Sequence, residues 1–296
     1  MKNIVVIGSI YMDMVISTSV SPRFGESVKG SGFATSCGGG ATLAVALAKI
    51  NGSVDMIGAI GNDDFGTMLK TNLENYGVNT SGVEVVDSNS GIHMTTVYNG
   101  SGQVIEDVGA NGGVTPEVID KNIELIKRAD IVVIQTDIPM KAVIYAAKRS
   151  GEFGCRVLLN PTSVVKFPDK LYEYVDTIVC NELEAHYLTC TSDTYSAMGM
   201  LKRSGVKQVV ITLGSNGSIY YVYGDINKCP AFKTKVADHS GAGDAFVAAY
   251  SSAVTDEHHE NHSIEFASLA ASIAVSRFGC IESFPTLAEV MDRMGS

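Results

Sequence analysis

Short β-branched runs alternate with helix-patterned stretches along most of this chain, and that alternation restricts the fold more than any other feature. Apolar runs of strand length fall at residues 4–8, 54–60, 131–135, 156–160, 177–180 and 209–213. Apolar residues recur at helical spacing over 41–50, 65–76, 116–128, 140–150, 182–190 and 196–204. A parallel strand needs a long crossover, and a sheet covered on both faces needs apolar residues on both. The pattern therefore predicts βαβ units and a mostly parallel sheet between helical layers. Phe266, Leu269, Ala270, Ile273 and Ala274 add a late helix with one buried face. With 296 residues, 45% of them hydrophobic, and no repeat or linker, the chain reads as one α/β domain, 1–296.

Two segments lack the helical period. Residues 14–36 alternate in character, as do 90–109, where Asn99-Gly100-Ser101-Gly102 signals a hairpin turn. Together they predict a small separate sheet, a lid able to close over a substrate. Such a β-extension serves equally well as a contact between two copies of the chain.

Charge and cysteine usage narrow the partners. A formal net charge of −10 and the absence of a basic run argue against nucleic acid. No apolar run reaches membrane length. Met1-Lys2-Asn3 followed by an apolar run ending at Gly8 reads as a first strand rather than a cleavable leader. The six cysteines are scattered, with no CxxC pair, so reduced thiols in a cytoplasmic protein are expected.

The chemistry concentrates in Asp238-His239-Ser240-Gly241-Ala242-Gly243-Asp244-Ala245-Phe246. Two glycines and an alanine form a tight turn, and an apolar helix follows. Amides at a helix start point outward and carry partial positive charge, which suits a phosphate in transit. Asp244 sits in the same turn as a candidate general base. Taken alone, the segment is also compatible with an ordinary helix-capping turn. Cys37-Gly38-Gly39-Gly40-Ala41-Thr42 is a second glycine run before a helix, where backbone approaches a ligand closely. Neither a Walker-type phosphate loop nor a GxGxxG dinucleotide fingerprint is present.

The order of motifs over nearly the full length resembles the ribokinase-like, or PfkB, family of sugar and nucleoside kinases. Gly8-Ser9-Ile10-Tyr11-Met12-Asp13 is similar to that family's N-terminal substrate motif, and residues 38–42 to its glycine-rich signature. Asn181-Glu182-Leu183-Glu184 matches its NxxE motif, and Thr212-Leu213-Gly214-Ser215-Asn216-Gly217 its nucleotide loop. The resemblance implies a three-layer α/β/α sandwich with a β-sheet lid. It implies ATP-dependent phosphorylation of a hydroxymethyl group on a sugar or sugar-like molecule.

Site roles follow from the same resemblance. Asp244 would be the general base, and the amides of Gly241, Ala242, Gly243 and Asp244 the anion hole. The helix start favours an ionised Asp244, which makes it a weak base. Asp13, Tyr11, Gly38, Gly39, Thr42 and Asp137 would line the substrate. Thr212, Gly214, Ser215, Gly217, Ser268 and Asn181 would line the nucleotide, with Glu184 acting on Mg²⁺ indirectly. Asp238, Ser240, Ala274, Arg277, Gly279 and Ser283 match the positions that hold K⁺ in many relatives. A homodimer formed through the lid is also implied.

Departures from the ribokinase pattern bear on the substrate. Tyr11 stands where ribokinases carry Asn, Gly39 where they carry Lys, Thr42 where they carry Asn, and Asp137 near a usual Glu. Losing those donors puts ribose in question, because a site built on hydrogen bonds rejects a mismatched partner strongly. A free Tyr11 ring would suit a nucleoside, or would fill the space of the lost lysine. A ligand-binding protein without catalysis is a third reading, opposed by the intact Asp244, Asn181 and Glu184. His93 and Met94 lie in the lid segment as candidate substrate contacts. His239 replaces the usual Thr; its side chain is expected to face away while its backbone does the work. His258-His259-Glu260-Asn261-His262 fits no metal-ligand spacing and reads as a solvated loop.

Overall fold

The computed structural model describes every residue except 1, 100, 163–165, 223, 255–259 and 296. Its main sheet is built from β1 (Ile4–Ile7), β4 (Val54–Gly61), β5 (Val78–Val86), β8 (Ile131–Gln135), β9 (Arg156–Asn160), β10 (Thr177–Asn181), β11 (Gln208–Thr212), β12 (Ser218–Val222) and β13 (Asp225–Cys229). The spatial order is β13-β12-β11-β10-β9-β8-β1-β4-β5, with β12 antiparallel to both of its neighbours, β11 and β13, and every other pair parallel. Strands β1, β4 and β8 are buried throughout, as the continuous apolar runs require.

Helices cover both faces. On one side lie α1 (Gly40–Asn51), α2 (Asp64–Asn75), α9 (Ala242–Ala253), α10 (Glu260–Ala274) and α11 (Leu287–Met294), packed on Ile4, Val6, Val133, Leu158 and Val210. On the other lie α3 (Pro116–Lys121), α4 (Ile123–Lys127), α5 (Met140–Glu152), α6 (Asp169–Tyr172), α7 (Glu182–Thr189) and α8 (Thr194–Arg203), packed on Val5, Ile7, Val132, Ile134 and Ile211. Alternate residues of one strand thus serve two cores, which is the three-layer sandwich expected from the sequence.

The single helix expected over 116–128 is instead broken at Asn122. Its side chain donates to the Val118 and Gly82 carbonyls, competing with the helical ladder. The expected loop around the histidine cluster is also partly wrong. His258 and His259 lie outside the described residues, but Glu260 and Asn261 open α10. Glu260 is buried and accepts from the Tyr250 hydroxyl, while Asn261 accepts from Tyr220.

The small sheet contains β2 (Tyr11–Thr18), β3 (Gly30–Gly38), β6 (Gly91–Tyr98) and β7 (Ser101–Asp107) in the order β3-β2-β6-β7. Strands β2 and β6 run parallel, and β6 and β7 form the hairpin signalled by the Asn-Gly turn. The main sheet grows outward from β1 on both sides, to β4 and to β8. The carboxyl ends of β1 and β8 therefore flank a topological switch point, where ligands of open α/β sheets bind. The small sheet emerges from that same end, because β2 follows β1 after three residues.

Candidate active site

Asp244 is the residue on which the site converges. Gly241 adopts a left-handed conformation, φ 74°, and caps α9. A Cβ there would press on the Phe284 ring and the Cys280 sulfur, so glycine suits both the angle and the space. No side chain caps this helix, which leaves the Gly243 and Asp244 amides available to a ligand, while the Ala242 amide donates weakly to the His239 carbonyl at 3.5 Å. Asp244 lines two cavities at once. The larger, about 680 Å³, includes Gly39, His93, Glu106, Gln135, Asp137 and Thr162. The smaller, about 220 Å³, includes Asn160, Asn181, Glu184, Thr212 and the turn from Gly241 to Asp244.

The sequence favoured a firmly ionised Asp244; the structure corrects this. Desolvation pushes its pKa up to about 7, and the negative charges of Asp137 and Asp13 push the same way. Burial beside like charges outweighs the helix start. Asp137 is raised by burial as well, although Ser9 donates a hydrogen bond to its Oδ2. Ser9 also receives the Gly40 amide, so it ties the glycine run to Asp137. Sequence reasoning passed over Ser9, Glu106, Gln135 and Thr162. Gln135 closes β8, and the rule that ligands gather at strand carboxyl ends would have found it.

Tyr11 is not the open stacking platform that its position suggested. It is fully buried, and its hydroxyl donates to Glu106 Oε1 at 2.7 Å. The His93 ring covers it, with centroids 3.8 Å apart and planes 22° apart. Gly39, at φ 66°, lies beside the Tyr11 ring. A Cβ on Gly39 would overlap Ser9 and approach Tyr11 and Asp137. The tyrosine thus occupies the space next to the missing side chain.

Asp13 accepts from or pairs with His93 Nδ1 at 2.9 Å, and Gly38 is glycine because a Cβ would collide with the Asp13 carboxylate. Burial alone would lower the His93 pKa, but the Asp13 hydrogen bond and charge, helped by Glu106 and Asp137, leave it raised. Met94 turns outward and is exposed, as strand alternation demands. Thr42 is buried with its hydroxyl on the Cys37 carbonyl, so the structure does not bring it to the cavity wall.

A third cavity, about 320 Å³, lies beyond the turn and gathers Thr212, Gly214, Ser215, Gly217, Phe232, Val236, Phe246 and Ser268. Its wall is largely apolar side chain and loop backbone, suited to a flat ring. His239, whose backbone was expected to line the site, belongs to the walls of both this cavity and the smaller one. Asn181 and Glu184 form a reciprocal capping box at the start of α7, and burial pushes Glu184 up to about 6. Asp238 accepts from the Ser240 and Gly279 amides, Arg277 donates to the Ser283 carbonyl, and the Arg277 amide to Ala274. These bonds hold the Asp238–Ser240 loop against the segment that runs from the end of α10 at Ala274 to Ser283.

Two cavities that meet at a single carboxylate, beside a turn with open amides, suit an enzyme that moves a phosphoryl group between two small molecules. The pfkB family carbohydrate kinase model matches residues 1–287, and the chain belongs to that family. It is 34% identical over 296 residues to a ribokinase of Lactococcus lactis, covering 99% of this chain and 97% of that one. It is 33% identical over 294 residues to a deoxyribokinase of Salmonella typhi, covering 96% of each. The structure of an Arabidopsis thaliana ribokinase complexed with ribose and ATP superposes with a TM-score of 0.91 at 29% identity, over 98% of both chains. The protein is an ATP-dependent carbohydrate kinase. No helix among the described residues is long and apolar enough to cross a membrane.

Proposed function

We propose that this kinase phosphorylates the hydroxymethyl oxygen of a neutral pentose-like sugar, with Asp244 as general base. The observation that carries the reading is Asp244 at the junction of the acid-lined cavity and the uncapped turn. The acid-lined cavity takes the acceptor sugar, and the apolar cavity takes the adenine of ATP. Asp244 accepts the hydroxyl proton as the oxygen attacks, and a pKa near 7 makes it a competent base at neutral pH. Amides of the turn from Gly241 to Asp244 stabilise charge building on the phosphoryl oxygens.

Among the described residues no group of three or more His, Cys, Asp or Glu is arranged to hold a metal. That fits a Mg²⁺ ion held chiefly by phosphates and water, with Asn181 and Glu184 orienting its shell. When bound, Mg²⁺ neutralises phosphate charge. The loops joined by Asp238 and Gly279 would take K⁺ through backbone carbonyls, each of which keeps a second lone pair. The small sheet would act as the lid. Its exposed Phe33, Met94 and Ile105 suit a homodimer formed through it.

A sugar is favoured over a nucleoside because the Tyr11 ring is already covered by His93. Ribose and a 2-deoxy analogue both fit a cavity with few donors. The test is ADP release with ribose, 2-deoxyribose, other free sugars and nucleosides, with K⁺ present and absent. Turnover restricted to nucleosides would overturn the reading.

A further inference from the structure

Asp13, His93 and Glu106 stand on one rung of the small sheet. Asp13 pairs with His93 across β2 and β6, and His93 pairs with Glu106 across β6 and β7. Side chains in direct register lie on one face and touch. His93 Nδ1 is 2.9 Å from Asp13 Oδ1, and its Nε2 is 4.0 Å from Glu106 Oε2. Tyr11 completes the unit by stacking on the imidazole and donating to the far oxygen of Glu106. The ring has room because Gly38 and Gly91 are its neighbours on either side, and a Cβ at Gly91 would strike it.

We propose that His93 is a positioning and specificity-determining residue of the acceptor site: as imidazolium it locks the carboxylates of Asp13 and Glu106 into a hydroxyl-accepting pair. The proposal rests on reading this cavity as the acceptor site. The protonated ring donates from Nδ1 to Asp13 and sets its positive charge 4.0 Å from Glu106, so only that form pairs with both carboxylates. No lysine or arginine lines the cavity among the described residues, whereas Glu106, Asp137 and Asp244 do. The imidazolium is therefore what offsets crowded negative charge there. Around it are Tyr11 and Asp13 from β2, Glu106 from β7 and Asp137 from the loop after β8. A wall of acceptors selects a neutral polyhydroxy molecule and rejects sugars that carry phosphate or carboxylate.

The pH direction is fixed by the pairing. A His pKa raised by partners means the lock is complete at low pH and lost as pH rises through that pKa. The test measures kcat and acceptor KM against pH for the native protein and His93→Gln. Acceptor KM should rise with pH in the native protein. His93→Gln should raise it by on the order of tenfold at low pH and flatten the profile, with a smaller change in kcat and none in the KM for ATP. An unchanged KM profile, or a loss confined to kcat, overturns the proposal. Imidazole titration by NMR gives a second readout. The His93 signal, assigned by its loss in His93→Gln, should titrate above the ordinary value and fall in Asp13→Asn. Titration at or below the ordinary value also overturns it. If no sugar is phosphorylated, the acceptor-site reading fails, and the titration still decides whether the lock exists.

Discussion

The hydroxyl of Tyr11 donates to Oε1 of Glu106 at 2.7 Å, reaching from β2 past β6 to the edge strand β7. That bond anchors the outer half of the small sheet to the strand that leaves β1. Tyr11→Phe removes it and keeps the ring on His93. Glu106 is half exposed, so the loss should be about 1.5 kcal/mol, the low end for a hydrogen bond to a charged group. Thermal unfolding should show a small drop, and hydrogen exchange in β7 should rise more than in β1. Equal change in both strands would argue against an anchoring role.

Asp244→Asn should separate activity from stability. Removing a general base costs roughly 10³-fold in rate. The carboxylate is also uncomfortable in its place, with a pKa pushed up to about 7 by burial, Asp137 and Asp13. A group raised this way is destabilising once ionised. Its favourable contribution is present below its ordinary range and lost as pH rises towards 7. The variant should therefore unfold at a higher temperature than the native protein at pH above about 7. A lower melting temperature there would sink the burial argument.

The rate profile should carry the same signature. Asp244 must be ionised to accept a proton, so kcat/KM should fall as pH drops through about 7. A profile flat down to the ordinary carboxylate range would mean that the helix start dominates after all.

Gly39 and Tyr11 should behave as a coupled pair. Gly39→Lys alone meets Ser9, Tyr11 and Asp137 at a positive φ, and should destabilise the fold by about 2 kcal/mol or more. Adding Tyr11→Asn opens the space, and the double variant should recover part of that loss. Simple additivity in the two melting shifts would show that the tyrosine does not occupy the lysine's volume.

Glu184→Gln tests the metal assignment. Glutamine caps a helix as glutamate does, so the start of α7 should hold and the melting temperature should change little. The Mg²⁺ concentration needed for half-maximal rate should rise several-fold. If the Mg²⁺ titration is unmoved, Glu184 serves as a cap only.

Strands buried on both faces were legible because they carry continuous apolar runs, as in the four residues 131–134 of β8. The edge strand Val78–Val86 escaped notice because Asn79, Ser81 and Glu84 break its apolar run. Motifs within a few residues, such as the Gly241 turn with Asp244 or the Asn181 and Glu184 box, were readable because local chemistry makes them. The Asp13, His93 and Glu106 rung was not, since it depends on the parallel register of β2 with β6. The ionisation of Asp244 was misread for the same reason. Its raised pKa comes first from burial by the packed fold and then from Asp137 and Asp13, which are remote in sequence.

The cavity proposed for the acceptor and the one proposed for adenine share no lining residue; the small cavity between them borders the first at Gln135, Thr162 and Asp244 and the second at Thr212, His239, Ala242, Gly243 and Phe246. Recognition of the two reactants is therefore modular. Replacing residues of the small sheet can retarget the enzyme to a new alcohol while the machinery that handles ATP is inherited unchanged.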